Sequence, residues 1–426
     1  MLRKTILMIP SWYPTKDNPF IGCFFREQAL AMQRDFDFIV TTYHVRTEPY
    51  LVFQFKKLLG FTKPRVKFVQ EDNGLQEYAI FATSPSGTTC IVRILRFVLK
   101  RFKCVNLNKP LRAGIGKTEE KYIKKNRLYI ANYIKDKKLL PHFDCVYSLT
   151  SQDYAPLGKA FADVFKIPHV TAEHAPFPWP GSVLSDSVVE SIESADAFLA
   201  ISNDKIRQVL LQNVKVNPVW VGNLCDETNF SVSSERHEVP TFLIVAAYNF
   251  YKNYALFIKA MEALKRIATK EFKIVIAGYN ANRGYSKNAE ELEDIVHKSI
   301  INENTKMIES VSREDMPSLY NSCDVFVMTS IQEGLPVSAI EASMSGLPVF
   351  STRCGGVEDY VDDTMGRIFQ LTDHKGIANA CNDYLEGIIC FDNEQIRKKA
   401  IELFGVESFT KRMKSVFEEV LGGSER

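Results

Sequence analysis

Short apolar runs alternate with helical patterns along nearly the whole of this 426-residue chain. The first half holds TILMIP, FDFIVTTYHV, FDCVYSLT, PHVTAEH, AFLAIS and VWVGN; the second holds TFLIVAAY, FKIVIAGY, DVFVMTS and LPVFST. Runs that are apolar on both faces suit central parallel strands. The segment NYALFIKAMEALKRI between two of them sets Leu256, Ile258, Met261, Leu264 and Ile267 near one helical stripe. Strand and helix in alternation mean an α/β fold with parallel sheets. The series restarts at Phe242, after the polar stretch DETNFSVSSERHEVP. The expected domains are therefore residues 1–227 and 228–405, with 406–426 a helix packing back towards the first. Two Rossmann-like domains facing a cleft would bind ligands at the carboxyl ends of their strands.

Composition permits this architecture and narrows little else. With 46% hydrophobic and 24% charged residues the chain can build sizeable cores. Nine cysteines are scattered without a C-x-x-C pair, which points to reduced thiols. No apolar run approaches the roughly 18 residues of a membrane span. The opening MLRKTILMIPSWYP reads as an immediate buried strand, too short in its apolar part for a signal peptide. A cytoplasmic protein is expected.

The stretch EGLPVSAIE, residues 333–341, carries the most chemistry. DVFVMTS is a strand and IQEG the loop at its carboxyl end. Pro336 fits a first helical turn, where its missing N–H costs nothing. Gly346 ends the helix, with Pro348 beyond it. Glu333 then sits at the helix mouth and Glu341 more than a turn inside. Free N–H groups and a partial positive charge at that mouth suit an anion such as phosphate. A carboxylate on either side suits hydroxyls at both ends of the ligand. A nucleotide sugar has that shape.

The surrounding stretch, SCDVFVMTSIQEGLPVSAIEASMSGLPVFSTRCGGVEDYV, resembles the signature region of family-4 glycosyltransferases, retaining enzymes of GT-B fold whose motif is a glutamate, seven residues and a second glutamate. SWYPTKDNPFIGCFFREQALAM, VTAEHAP, AISNDKIRQVL, VGNLCDETNF and VAAYNFYKNYALFIKA fall in the family's order, and residues 45–140 match least. The resemblance implies that Glu341 holds the ribose hydroxyls of a UDP- or GDP-sugar and that Glu333 faces the sugar. It implies backbone donors from Gly334, Leu335, Pro336 and Val337, a diphosphate contact from Lys252, close approach at Gly22 and a sugar contact from His174. Read alone, a residue such as Lys252 is more often a solvated lysine and one such as Gly22 more often a turn, while His174 is as readily a hydrogen-bonded core histidine as a sugar contact. Gly355 and Gly356 read as structural. The family's diphosphate arginine is missing from VAAYNFYK, which leaves Lys16, Arg26 or Arg353 to compensate.

Breaking a sugar–phosphate bond leaves negative charge on the diphosphate, which Lys252 and the helix mouth would stabilise. No Asp-x-Asp or His/Asp cluster at ligand spacing is found, so no metal and no cofactor are expected. Residues 91–127 carry twelve Lys/Arg and two Glu, a local charge of +10 against +2 for the whole chain. Within them, IVRILRFVLKRFK at 91–103 reads either as a helix on an anionic membrane or as a packed helix with a basic outer face. No nucleic-acid motif is present. The function expected is retaining, metal-independent glycosyl transfer to a glycan or lipid-linked acceptor in surface polysaccharide assembly. A GT-B sugar-nucleotide epimerase or hydrolase, or a non-catalytic nucleotide-sugar-binding homologue, are the alternatives.

Overall fold

The computed structural model describes residues 3–15, 21–86, 108–233, 237–280 and 286–423. The chain forms two compact units. One takes in the residues up to Leu199, Val209–Val219 and those from Lys414 onwards; the other takes in Ala200–Gln208 and Trp220–Met413.

The first unit contains strands β1 (Thr5–Ile9), β2 (Asp37–Pro49), β3 (Arg65–Asp72), β4 (Leu75–Ser86), β5 (Cys145–Leu149), β6 (His169–Glu173), β7 (Ala197–Ala200) and β8 (Pro218–Trp220), the last residues of β7 and β8 falling in the second. They order as β3-β4-β2-β1-β5-β6-β7-β8. β1 pairs in parallel with β2 and β5, β2 with β4, and β5 with β6. The pairing of β3 with β4 is antiparallel, a departure from the all-parallel sheets expected. Asn73 and Gly74 both adopt left-handed φ, 51° and 81°, so the hairpin turns on an Asn-Gly pair. One core layer joins Leu7, Ile39, Ile80 and Val146 to Ile130, Leu157 and Phe161 from helices. The last helix, Val406–Gly423, brings Phe417 against Phe36 and Tyr147, and Lys414 Nζ lies 2.7 Å from Asp35.

The second unit contains β9 (Thr241–Val245), β10 (Lys273–Ala277), β11 (Thr305–Ile308), β12 (Val325–Met328), β13 (Val349–Thr352) and β14 (Gly366–Phe369). Their order is β11-β10-β9-β12-β13-β14, all parallel. Each strand feeds two cores. Leu243, Phe326 and Val349 pack on one side with Ile340 and Phe404. Phe242, Ile244, Val325 and Phe350 pack on the other with Phe257, Met261 and Leu264. In the central strands β9, β12 and β13 nearly every side chain is therefore buried, which is why those runs are apolar throughout. The helix Tyr254–Ile267 buries Leu256, Ile258, Met261 and Leu264, but Ile267 is 45% exposed at its end, with Tyr254 and Phe257 buried instead. None of the seven described cysteines is in a disulfide, and Cys90 and Cys104 lie outside the described residues. No described helix is long and apolar enough to cross a membrane.

Candidate functional site

In the second sheet the chain order reverses between β9 and β12, and the crevice outside the carboxyl ends of two such strands is where open α/β sheets receive ligands. The loops leaving these strands carry Lys252 and Glu333. Lys252 Nζ lies 2.6 Å from Glu333 Oε1, across 81 residues of sequence. Local structure fixes both ends. The Asn249 side chain accepts from the amides of Tyr251 and Lys252, and Asn253, at φ 48°, turns the chain into the next helix. Thr329 Oγ1 donates to the carbonyls of Lys252 and Asn253, and the Ile331 amide donates to the Tyr251 carbonyl at 2.7 Å. The Glu333 amide donates to the Cys354 carbonyl at 2.7 Å.

Gly355 and Gly356 make that last contact possible. Both have positive φ, and a Cβ on Gly356 would stand 2.3 Å from the Gly334 carbonyl oxygen. Any side chain there would push the two loops apart. Asn223 Nδ2 donates to the Leu335 carbonyl at 2.8 Å and fixes the next residue of the turn. The helix then runs Val337–Met344 with Pro336 as its N-cap, one residue earlier than the first-turn position expected. Gly346, at φ 80°, closes it; a Cβ there would meet the Asn393 carbonyl at 2.9 Å.

Glu341 is 3% exposed, four residues into this helix. Its Oε2 accepts from the Tyr320 hydroxyl at 2.9 Å, and its Oε1 is paired with the Arg313 guanidinium. Burial, and then the neighbouring carboxylate, pushes the Tyr320 phenol well above its ordinary range, so it remains a donor. The two glutamates therefore answer to different cations, Glu333 to Lys252 and Glu341 to Arg313. Arg313 and Tyr320 were not foreseen. Arg313 follows β11, at the same end of the sheet, and a cation just beyond a parallel strand was the signal available.

Of the cations considered in place of the missing arginine, Arg26 is committed to Asp72 at 2.5 Å and Glu77 at 3.0 Å in the first unit. Arg353 is exposed and its amide donates to the Phe369 carbonyl. Lys16 lies outside the described residues, as does the segment 91–103.

In the first unit the sheet order reverses between β1 and β5. Ser11 and Thr150, which follow those strands, hydrogen-bond through their hydroxyls at 2.6 Å. Gly22, at φ 68°, caps the helix Cys23–Met32, and a Cβ on it would stand 2.5 Å from the Trp12 carbonyl group. The close approach that Gly22 allows is thus to the chain's own backbone. His174 follows β6 and packs edge-on against Phe25 at 4.8 Å, with Phe24 at 6.1 Å. Its neighbour Glu173 is wholly buried and accepts from Ser151 Oγ at 2.6 Å and from the Ala175 amide at 2.8 Å.

Residues 226–402 match the family model "Glycosyl transferases group 1". The curated D-inositol 3-phosphate glycosyltransferase of Corynebacterium kroppenstedtii is 22% identical over 250 residues, 51% of this chain and 54% of that protein. The chain thus spans about half the length of the curated relatives it matches. Among solved structures, sucrose-phosphate synthase from Thermosynechococcus elongatus superposes with a TM-score of 0.68 at 13% identity, covering 99% of this chain and 100% of that one. Anabaena Alr3699/HepE in complex with UDP and glucose gives 0.65 at 13%, covering 98% and 100%. The fold is the GT-B type, with two α/β units, and the stretch that matches the group 1 model lies within the second unit.

Proposed function

We propose that the chain is a retaining glycosyltransferase that moves a hexose from a nucleotide sugar to a glycan or lipid-linked acceptor in surface polysaccharide assembly. The observation that carries this reading is the Lys252–Glu333 pair at the sheet's order reversal, with Glu341 buried eight residues further on. UDP-sugars are the first donors to test, since the Anabaena neighbour was solved with UDP; GDP-sugars are the second.

In this reading Lys252 turns from Glu333 to the diphosphate, where its charge and the start of the helix Val337–Met344 stabilise the leaving group. The turn of Gly334, Leu335, Pro336 and Val337 lines the donor. Glu333 faces the sugar and Glu341 accepts from the ribose hydroxyls. His174 is assigned a sugar contact, whereas the close approach at Gly22 is taken by the Trp12 backbone. The acceptor oxygen attacks the anomeric carbon on the face the diphosphate leaves, and a phosphate oxygen takes the acceptor's proton. The bond to phosphate breaks as the glycosidic bond forms, with configuration kept. None of these steps calls on a metal, so activity is expected to persist in a chelator. The location expected is the cytoplasmic side of the membrane.

The test is nucleotide release from a panel of UDP- and GDP-sugars, with and without acceptor, and the anomeric configuration of the product by NMR. Release that ignores acceptor would mark a hydrolase or epimerase. Binding without turnover on any acceptor would mark a non-catalytic homologue, a reading favoured by the lack of a cation in Ala246–Tyr248. Loss of activity in EDTA, restored by Mg²⁺ or Mn²⁺, would overturn metal independence.

A further inference from the structure

Single exposed apolar side chains are normal on a protein surface, but a contiguous cluster is not. The helix Tyr50–Leu58 of the first unit and the turn after it form such a cluster. Leu51, Phe55 and Leu58 follow the spacing of one helical face and are 56%, 64% and 84% exposed; Val52, Leu59 and Phe61 extend it, Phe61 at 73%. Phe53, on the other side, is buried and anchors the helix to its unit. The apolar face is therefore turned outwards by design of the sequence, not left over at a frayed end.

The stretch of chain that carries it has charge of one sign. From Pro49 to Gln70 the chain has no acidic residue and five cations, Lys56, Lys57, Lys63, Arg65 and Lys67. Lys56 pairs with Glu48 at the rim, and Lys57 lies over the Tyr129 ring at 5.0 Å. Lys63, Arg65 and Lys67 are exposed. A second copy would set these cations against their own kind. Bulky apolar side chains between cations fit a surface that is anionic outside and apolar just beneath.

We propose that the helix Tyr50–Leu58 and the turn to Phe61 dock the protein onto an anionic lipid bilayer, with Phe55, Leu58 and Phe61 entering the interface and Lys57, Lys63, Arg65 and Lys67 meeting the headgroups. The surface consists wholly of described residues. It does not depend on glycosyl transfer, because docking is read without turnover.

The experiment is co-sedimentation of the full chain with phosphatidylcholine vesicles, alone or mixed with phosphatidylglycerol. Wild type is expected to sediment with the mixed vesicles only, more weakly as salt screens the charges over about 8 Å at 0.15 M. A Phe55→Ser, Leu58→Ser, Phe61→Ser variant is expected to lose about tenfold or more in partitioning. All three side chains are exposed, so its thermal unfolding should match wild type. Failure of wild type to sediment would overturn the proposal, and so would a variant that partitions as well as wild type. A wild-type dimer that the triple variant converts to monomer, without vesicle binding, would instead assign the face to a second copy.

Discussion

The two sheets reverse their strand order in corresponding places and furnish those places with opposite chemistry. In the second unit the reversal is charged, with Lys252 on Glu333 and Arg313 with Tyr320 on Glu341. In the first it is hydroxyl-lined and aromatic, where Ser11 meets Thr150 and the rings of Trp12, Phe25, His174 and Trp179 gather nearby. The first unit also has a carboxylate there, Glu173, but its oxygens are taken by a hydroxyl and main-chain amides of adjoining turns. Those partners cannot leave without unfolding the turns. The cations on Glu333 and Glu341, Lys252 and Arg313, are part-exposed side-chain tips, which can swing to a ligand, while Tyr320 stays in the core. Whether a buried carboxylate serves structure or binding depends on what holds it.

The largest expected effect tests the structural side of this contrast. His169, at the start of β6, is enclosed with its Nε2 2.8 Å from Ser148 Oγ. Burial first, then the charge of Lys159, lowers its pKa from 6.5 to about 3. The unfolded chain takes up a proton near 6.5 while the folded chain resists it to about 3. The stability is therefore complete above pH 6.5 and is lost as the pH falls, by up to roughly 4–5 kcal/mol. Denaturant midpoints between pH 7 and 4 should fall more steeply for wild type than for His169→Gln. Equal slopes would show that the buried imidazole is not what acid attacks.

On the binding side, Lys252→Ala is expected to cut turnover roughly 100- to 1,000-fold by removing the cation from the leaving group. A loss under tenfold would strike Lys252 from the mechanism. Glu341→Ala should weaken free nucleotide binding about 10- to 150-fold, the worth of a hydrogen bond to a charged group, as read by calorimetry. Unchanged affinity would remove Glu341 from the ribose. Tyr320→Phe deletes one neutral donor and should cost about 2- to 12-fold in the same titration. If it cost more than Glu341→Ala, the hydroxyl and not the carboxylate would be the ligand group.

The parts of the fold that sequence revealed were those buried on both faces. β9, β10, β12 and β13 read as continuous apolar runs because both cores claim them. β3 escaped notice because seven of its eight residues are exposed. Its marker was the Asn73–Gly74 turn, a local signal that outweighs periodicity for hairpins. β11 and β14 are edge strands of the same four-residue length as β12 and β13, but they are only partly buried and so are not apolar throughout. At the site, Pro336 and Gly346 located both glutamates along the chain. Their partners were hidden, since Lys252 reaches Glu333 only through the β9–β12 adjacency and Arg313 reaches Glu341 only through the β11 edge. Pairings of that kind are set by strand order, which no local spacing encodes.

The loops after β9, β12 and β13 are laced together by the Ile331 amide on Tyr251, by Thr329 on Lys252, by the Glu333 amide on Cys354 and by the seating of Gly356 on Gly334. Such lacing turns three surface segments into one cooperative unit. Amide protons at Ile331 and Glu333 are then expected to exchange with solvent at a common rate, set by a single opening event and not by each loop's own fraying. A donor that engages Lys252 would slow both together, so that occupancy of the site is audible in the exchange of amides the ligand never touches.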